Sequence, residues 1–138
     1  MSPADAQRVQ DVFRRESRSL VQYVRGAALY AAGTDRKLLD GVNRVADEGA
    51  AAIGALGEFL DRSRVTPPPL GSFPAVFTDL NFVAVRFLLP RLVAEQRRDL
   101  AALEADRAAT ANPAAAAEVG KLVELHRRHL AELEALGV

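Results

Sequence analysis

The chain has 138 residues, with 18 basic and 18 acidic side chains and no cysteine. Such a length predicts a single domain, residues 1–138, whose core needs no covalent staples. Balanced charge gives no overall field that would draw nucleic acid or an anionic membrane, and the lack of cysteine excludes disulfides, thiolate metal sites and a cysteine nucleophile.

The N-terminus, MSPADAQRVQDVFRRE, lacks the basic-then-apolar layout of a signal peptide. The longest strongly apolar helical stretch, Gly49–Gly57, is far shorter than a membrane span. The expectation is a soluble cytoplasmic protein. Alanine, leucine, arginine and glutamate dominate, which favours helix.

Four helical segments are predicted. The first runs from Pro3 to Ala32, with Ser2 as cap, proline at the first helical position and Gly33 as stop. Its apolar stripe is Val9, Val12, Leu20, Val24 and Ala27. The second runs from Asp35 to Ser63 along Leu39, Val42, Ala46, Ile53, Leu56 and Leu60. Its glycines, Gly41, Gly49, Gly54 and Gly57, predict a face where another helix approaches closely. Arg64–Pro74, RVTPPPLGSFP, cannot be helical through its three prolines and should be extended.

The third segment starts at Ser72 or Thr78 and ends at Asp106. Its first half is apolar almost all round, from Phe73 and Phe77 through Phe82 and Phe87, which predicts the most buried helix. Pro90 should kink or break it. The fourth segment runs from the cap pair Asn112-Pro113 to Leu136, with Gly137 as terminator.

Four helices, each with one apolar stripe, predict an all-α four-helix bundle. Short first and third connections make helices 1 and 2, and helices 3 and 4, antiparallel neighbours. The middle connection, about ten residues at ~3.1 Å each, reaches roughly 30 Å. A helix of 28 residues is about 42 Å long. The linker can therefore serve as a long crossover between helices 2 and 3, or as a wide loop in an up-down-up-down bundle. A stiff proline spacer favours the crossover.

Two hairpins joined by a crossover resemble the ferritin-like superfamily, over essentially the whole chain. The stretches RRESRSLVQYVRGAALY and LGSFPAVFTDLNFVAVRFLLPRL also resemble bacterial ferritin-like proteins without an assigned activity. The resemblance implies a place where a di-iron centre would sit: one carboxylate from each of two helices and a Glu-x-x-His from each of the other two.

The carboxylate of helix 1 would be Glu16, which lies on the apolar stripe between Phe13 and Leu20. In helix 2 the candidate is Glu48, but Ala51 stands where the histidine belongs. Helix 3 offers Glu95, among Gln96, Arg97 and Arg98, which reads as a solvated face, and Asp79, an N-terminal charge favoured by the helix dipole. Helix 4 carries VELHRRHLAEL with His126 and His129; three residues before them stand Val123 and His126, so the motif fails again. His126 lies in line with the apolar stripe and His129 at its edge. Glu16 and His126 fall at similar depths along their helices, which predicts a buried pair between them, since a lone buried carboxylate is costly. The candidate metal ligands are thus Glu16, Glu48, His126 and His129.

Other chemistry is thin. There is no Gly-x-Ser-x-Gly elbow and no phosphate-binding Gly-Lys loop, and no catalytic set is assigned. Tyr23 and Tyr30 read as packing residues on one helix face, and Asn81 as a buried amide tying the linker to helix 3. The arginines of helix 1, Arg14, Arg15, Arg18 and Arg25, read as a solvated face.

The first functional expectation is a structural or interaction protein: a ferritin-like bundle without a complete di-iron site, forming a homo-oligomer through its phenylalanine-rich helix and needing no cofactor. The alternative is a metal-binding or redox protein that holds iron, manganese or zinc in the reduced Glu/His set. A carrier of small molecules or lipids near Pro90 is neither supported nor excluded.

Overall fold

The computed structural model describes residues 1–137. Its helices are α1 (Pro3–Ser17), the single turn α2 (Leu20–Tyr23), α3 (Arg36–Arg62), α4 (Val85–Ala109) and α5 (Pro113–Leu136). Short 3₁₀ turns cover Val24–Gly26, Gly33–Asp35 and Ala75–Leu80. The four long helices, α1, α3, α4 and α5, pack together as an all-helical bundle. No helix among the described residues is long and apolar enough to cross a membrane.

The caps act as the sequence suggests at two ends. Ser2 accepts the Asp5 N–H at 3.1 Å, and Asn112 accepts the Ala115 N–H at 2.9 Å, each followed by proline at the first helical position. Asp5 is buried and ties α1 to the α4–α5 turn, accepting the N–H groups of Asn112 at 2.9 Å and Ala111 at 3.3 Å. These bonds hold its carboxyl below the usual carboxylate range.

The first predicted helix is not continuous. It stops at Ser17, whose hydroxyl donates to the Phe13 carbonyl at 2.7 Å, and Ser19 starts a new turn as the cap of α2. Beyond Gly26 the chain leaves helix altogether: Ala28 has φ 51°, and Tyr30 pairs with Ala84 in an isolated parallel bridge. Tyr30 is exposed, while Tyr23 packs edge-on against Phe73 and lies beside Phe77.

The third predicted helix also starts later, at Val85. Phe82 sits before it with φ 62° and points to solvent, 76% exposed, and Phe87 is 73% exposed. Of the four phenylalanines of the expected most-buried helix, only Phe77 is buried; Phe73, Phe82 and Phe87 are exposed. Pro90 does not break α4; the helix runs through it although the proline removes one backbone hydrogen bond from the second turn. Asn81 is exposed rather than buried, and it accepts a hydrogen bond from the Tyr23 hydroxyl.

Segment 63–84 lies along α1 and α2 in order. Gln10 donates to Thr66 O at 2.7 Å, Arg14 to Pro69 O at 3.2 Å and Arg18 to Ser72 O at 2.8 Å. Phe73 and Phe77 then meet Tyr23, Phe82 N donates to Ala27 O, and Tyr30 N donates to Val83 O.

The core has two apolar clusters. One joins Leu38 and Val42 of α3 to Val85, Leu88 and Leu92 of α4 and Leu133 of α5. The other joins Val9 and Val12 of α1 to Leu56 and Leu60 of α3, Leu103 of α4 and Val119 of α5.

Candidate metal centre

Each long helix carries polar residues between those two clusters. On α1, Glu16 lies between Val12 and Leu20; on α3, Glu48 lies between Val45 and Leu56. On α4, Gln96 and Asp99 lie between Leu92 and Leu103; on α5, His126 and His129 lie between Val123 and Leu133. The bundle thus has a polar layer sandwiched between two apolar ones.

Glu16 and His126 form the pair expected from their depth. His126 Nε2 is 2.7 Å from Glu16 Oε1, and Glu16 is 2% exposed. The contact is short but not aligned as a hydrogen bond, and both carboxylate oxygens of Glu16 are buried without a hydrogen-bond partner. His126 Nδ1 is fixed from the other side by Gln96, whose amide nitrogen lies 2.9 Å away. This arrangement places the ring proton on Nε2, the nitrogen nearer Glu16.

α1 ends one residue after Glu16, and a cavity of about 10 Å³ lies beside that carboxylate, room for about one water. Glu16, Gln22, Gln96, His126 and His129 line it. Gln22 reaches across from α2 to donate to Ala46 O of α3 at 2.9 Å. A Cβ at Gly49 would come within 2.9 Å of that same amide nitrogen, so a larger residue there would displace the Gln22 side chain from its bond to Ala46 O.

His129 is more buried than His126, at 2% against 8% exposure, although its position suggested the stripe's edge. Its Nε2 lies 2.9 Å from Glu48 Oε1. Burial pushes the imidazole down from its usual range, outweighing the upward pull of Glu48, while the hydrogen bond from His129 holds Glu48 below the carboxylate range. The pair at neutral pH is therefore a neutral imidazole donating to an ionised carboxylate.

Glu132 completes a group of three. Donor atoms of Glu48, His129 and Glu132 all lie within 4.8 Å of one another. Arg44 approaches Glu132 at 3.4 Å, and Arg128 approaches Glu48 at 3.6 Å and Glu132 at 3.7 Å. Glu132 Oε2 is nevertheless buried without a hydrogen bond.

The sequence candidates thus divide into two contacts, Glu16 with His126 and Glu48 with His129, on one strip of α5. Gln96, Asp99 and Glu132 were missed. The signal for Glu132 was present in reversed order: His129-x-x-Glu132 shares a helix face as well as Glu-x-x-His does. Gln96 and Asp99 continue the stripe Leu92, Gln96, Asp99, Leu103 at spacings of four, three and four, hidden by the arginines between them. Glu95 is half-buried and paired with Arg98 at 3.2 Å, on a face less solvated than its neighbours suggested.

No protein-family model, curated protein or solved structure matches the chain.

Asp99 is half-buried, and its carboxyl is pushed up to about 7, first by burial and then by the nearby Glu16 carboxylate. A raised folded value means that the fold favours the protonated acid, so this contribution to stability is lost as pH rises through about 7. His129 acts in the opposite sense: its lowered value costs stability as pH falls below its unfolded value, about 6.5. Asp99→Asn should therefore stabilise the metal-free protein at pH 8 by on the order of 2 kcal/mol, after allowing for partial solvent screening. Thermal melts at pH 8 and pH 4.5 check this; the gain should fall to about a quarter at the lower pH, which still lies above the unfolded carboxylate value.

Proposed function

We propose that the chain is a ferritin-like bundle that binds a divalent metal ion through a reduced carboxylate–imidazole set. Glu48, His129 and Glu132 are the converging donors, with Glu16 and His126 in the same polar layer. The observation that carries this reading is the buried carboxylate oxygens without hydrogen bonds. Of the four buried side-chain polar atoms without a hydrogen bond among the described residues, three belong to Glu16 and Glu132; Glu16 Oε1 and Glu132 Oε2 have only the unaligned contacts of His126 and Arg44, and Glu16 Oε2 has none. Buried polar groups are ordinarily paired, and an ion is one of the standard reasons for an exception. Imidazole and carboxylate donors suit iron, manganese or zinc.

This chain's own residues would orient the donors and limit access. Glu48 holds the His129 ring in place, and Nε2, protonated in the ion-free state, would have to release that proton before it could bind a cation. Gln96 fixes the His126 ring, and the apolar clusters bound the layer on both sides. Arg44 and Arg128 neutralise Glu48 and Glu132 in the ion-free state and would have to yield to a cation. A bound ion would supply positive charge and a Lewis acid there. Ala51 stands where a second family histidine would be, which restricts the set to fewer ligands than a di-iron centre uses.

The ferritin-like part of the reading is supported by the course of segment 63–84 along α1 and α2. It is also supported by the two clusters, in which the beginnings of α3 and α4 meet and their ends meet. Calorimetric titration of the metal-stripped protein with Mn²⁺, Zn²⁺ and anaerobic Fe²⁺ tests the function. Saturable binding at one ion per chain is expected; heats no larger than dilution for all three would refute it.

A second reading, a structural protein that self-associates, is favoured by Phe82 and Phe87, each more than 70% exposed. Light scattering across micromolar concentrations distinguishes a dimer from a strict monomer.

A further inference from the structure

A basic cleft lies on the outer side of α1, where Arg14, Arg15 and Arg18 face the proline-rich segment. With Asp11 and Pro74 they line a space of about 480 Å³, within the size range of small-molecule sites. The chain as a whole carries no net charge, so three guanidiniums in one cleft are a local concentration.

These are not loosely solvated side chains. Arg14 Nε donates to Pro69 O at 3.2 Å and Arg18 Nε donates to Ser72 O at 2.8 Å. Each bond uses the inner edge of the guanidinium and leaves its two terminal nitrogens available. Neither arginine makes an ion pair among the described residues, although most of the other arginines do. Arg15 Nη2 is held by Asp106 at 2.9 Å, and Arg15 Nε is buried without a partner. Asp11 is the only acid lining the cleft, and its Oδ1 accepts from Gln7 at 2.9 Å.

We propose that this cleft binds a phosphate group, either free inorganic phosphate or the phosphate of a small ester. Two guanidiniums one helical turn apart, already fixed through Nε, present planar donor pairs that match a tetrahedral oxyanion. Fixing them beforehand removes much of the entropy cost of ordering long side chains on binding. Holding segment 63–84 needs only the Nε bonds; it does not need the outward cations to lack carboxylate partners. The inference stands independently of the metal reading.

The test is NMR titration of the ¹⁵N-labelled protein, following the arginine Nε–Hε signals, with inorganic phosphate, with glycerol phosphate, and with chloride at matched ionic strength. Saturable shifts of Arg14 and Arg18 with either phosphate and not with chloride are expected, and comparison of the two phosphates tells which source fits. Arg18→Lys keeps the charge, loses the fork and should weaken binding about tenfold. Asp11→Asn removes the only lining acid without touching the Nε bonds and should tighten binding roughly threefold. Shifts that match chloride, or an Asp11→Asn affinity equal to wild type, would overturn the proposal and leave the arginines as clamps alone.

Discussion

His129→Ala is expected to lower divalent-metal affinity by about 100-fold or more, beyond what loss of an outer-shell partner costs. His129 is the imidazole that touches Glu48, and it shares a helix face with Glu132. Without it two carboxylates remain, each already approached by an arginine: Arg44 beside Glu132, and Arg128 beside both. Those cations would then occupy the acids without competition. Arg128→Ala should move affinity in the opposite direction, because it removes a competing positive charge while leaving all three donors. Calorimetric titration of the two variants beside wild type reads both effects. Equal affinity for wild type and His129→Ala would show that any bound ion sits elsewhere.

The second large effect concerns the linker. Deleting Pro67–Gly71 should strongly destabilise the fold. α3 has 27 residues and is about 40 Å long. If segment 63–84 carries the chain back along that length, removing five residues takes roughly 15 Å from a reach of about 68 Å, so the segment still spans but is pulled off its docked course. The bond from Arg14 to Pro69 would be lost outright, and those of Gln10 with Thr66 and Arg18 with Ser72 would fall out of register with each other. An up-down-up-down bundle would accept the shorter loop with little loss. Circular dichroism melts distinguish the two: a strongly lowered midpoint supports the crossover, and a melt close to wild type opposes it.

Helix ends marked by local chemistry were legible in the sequence. Ser2-Pro3 and Asn112-Pro113 start helices as expected, and α3 and α5 keep their predicted limits to within a residue. The misreadings arose where apolar spacing continued beyond the helix that began it. Leu20, Val24 and Ala27 are buried, but through a broken turn and a 3₁₀ turn rather than one long helix. Ser17 and Ser19 carried the signal for that break, since serine competes for backbone hydrogen bonds. Phe82 and Phe87 look like core in a list of residues, and only the left-handed backbone at Phe82 and the late start of α4 turn them outward.

The polar layer was legible one residue at a time and not as a layer. Glu16 was recognisable as a charge on an apolar stripe, and His126 as its partner at equal depth; the 2.7 Å contact bears this out. Glu48 with His129 depends on the rotation of α3 against α5, which a single helical pattern does not fix. Asp99 stood beside Arg97 and Arg98 in a stretch whose polarity concealed its inward face.

The most direct test of the metal reading is X-ray absorption on the protein loaded with zinc or manganese and then desalted. The account predicts one ion per chain in a shell of oxygen and nitrogen donors, with imidazole scattering that His129→Ala removes. An ion that washes off on desalting, or a shell without imidazole, would contradict it.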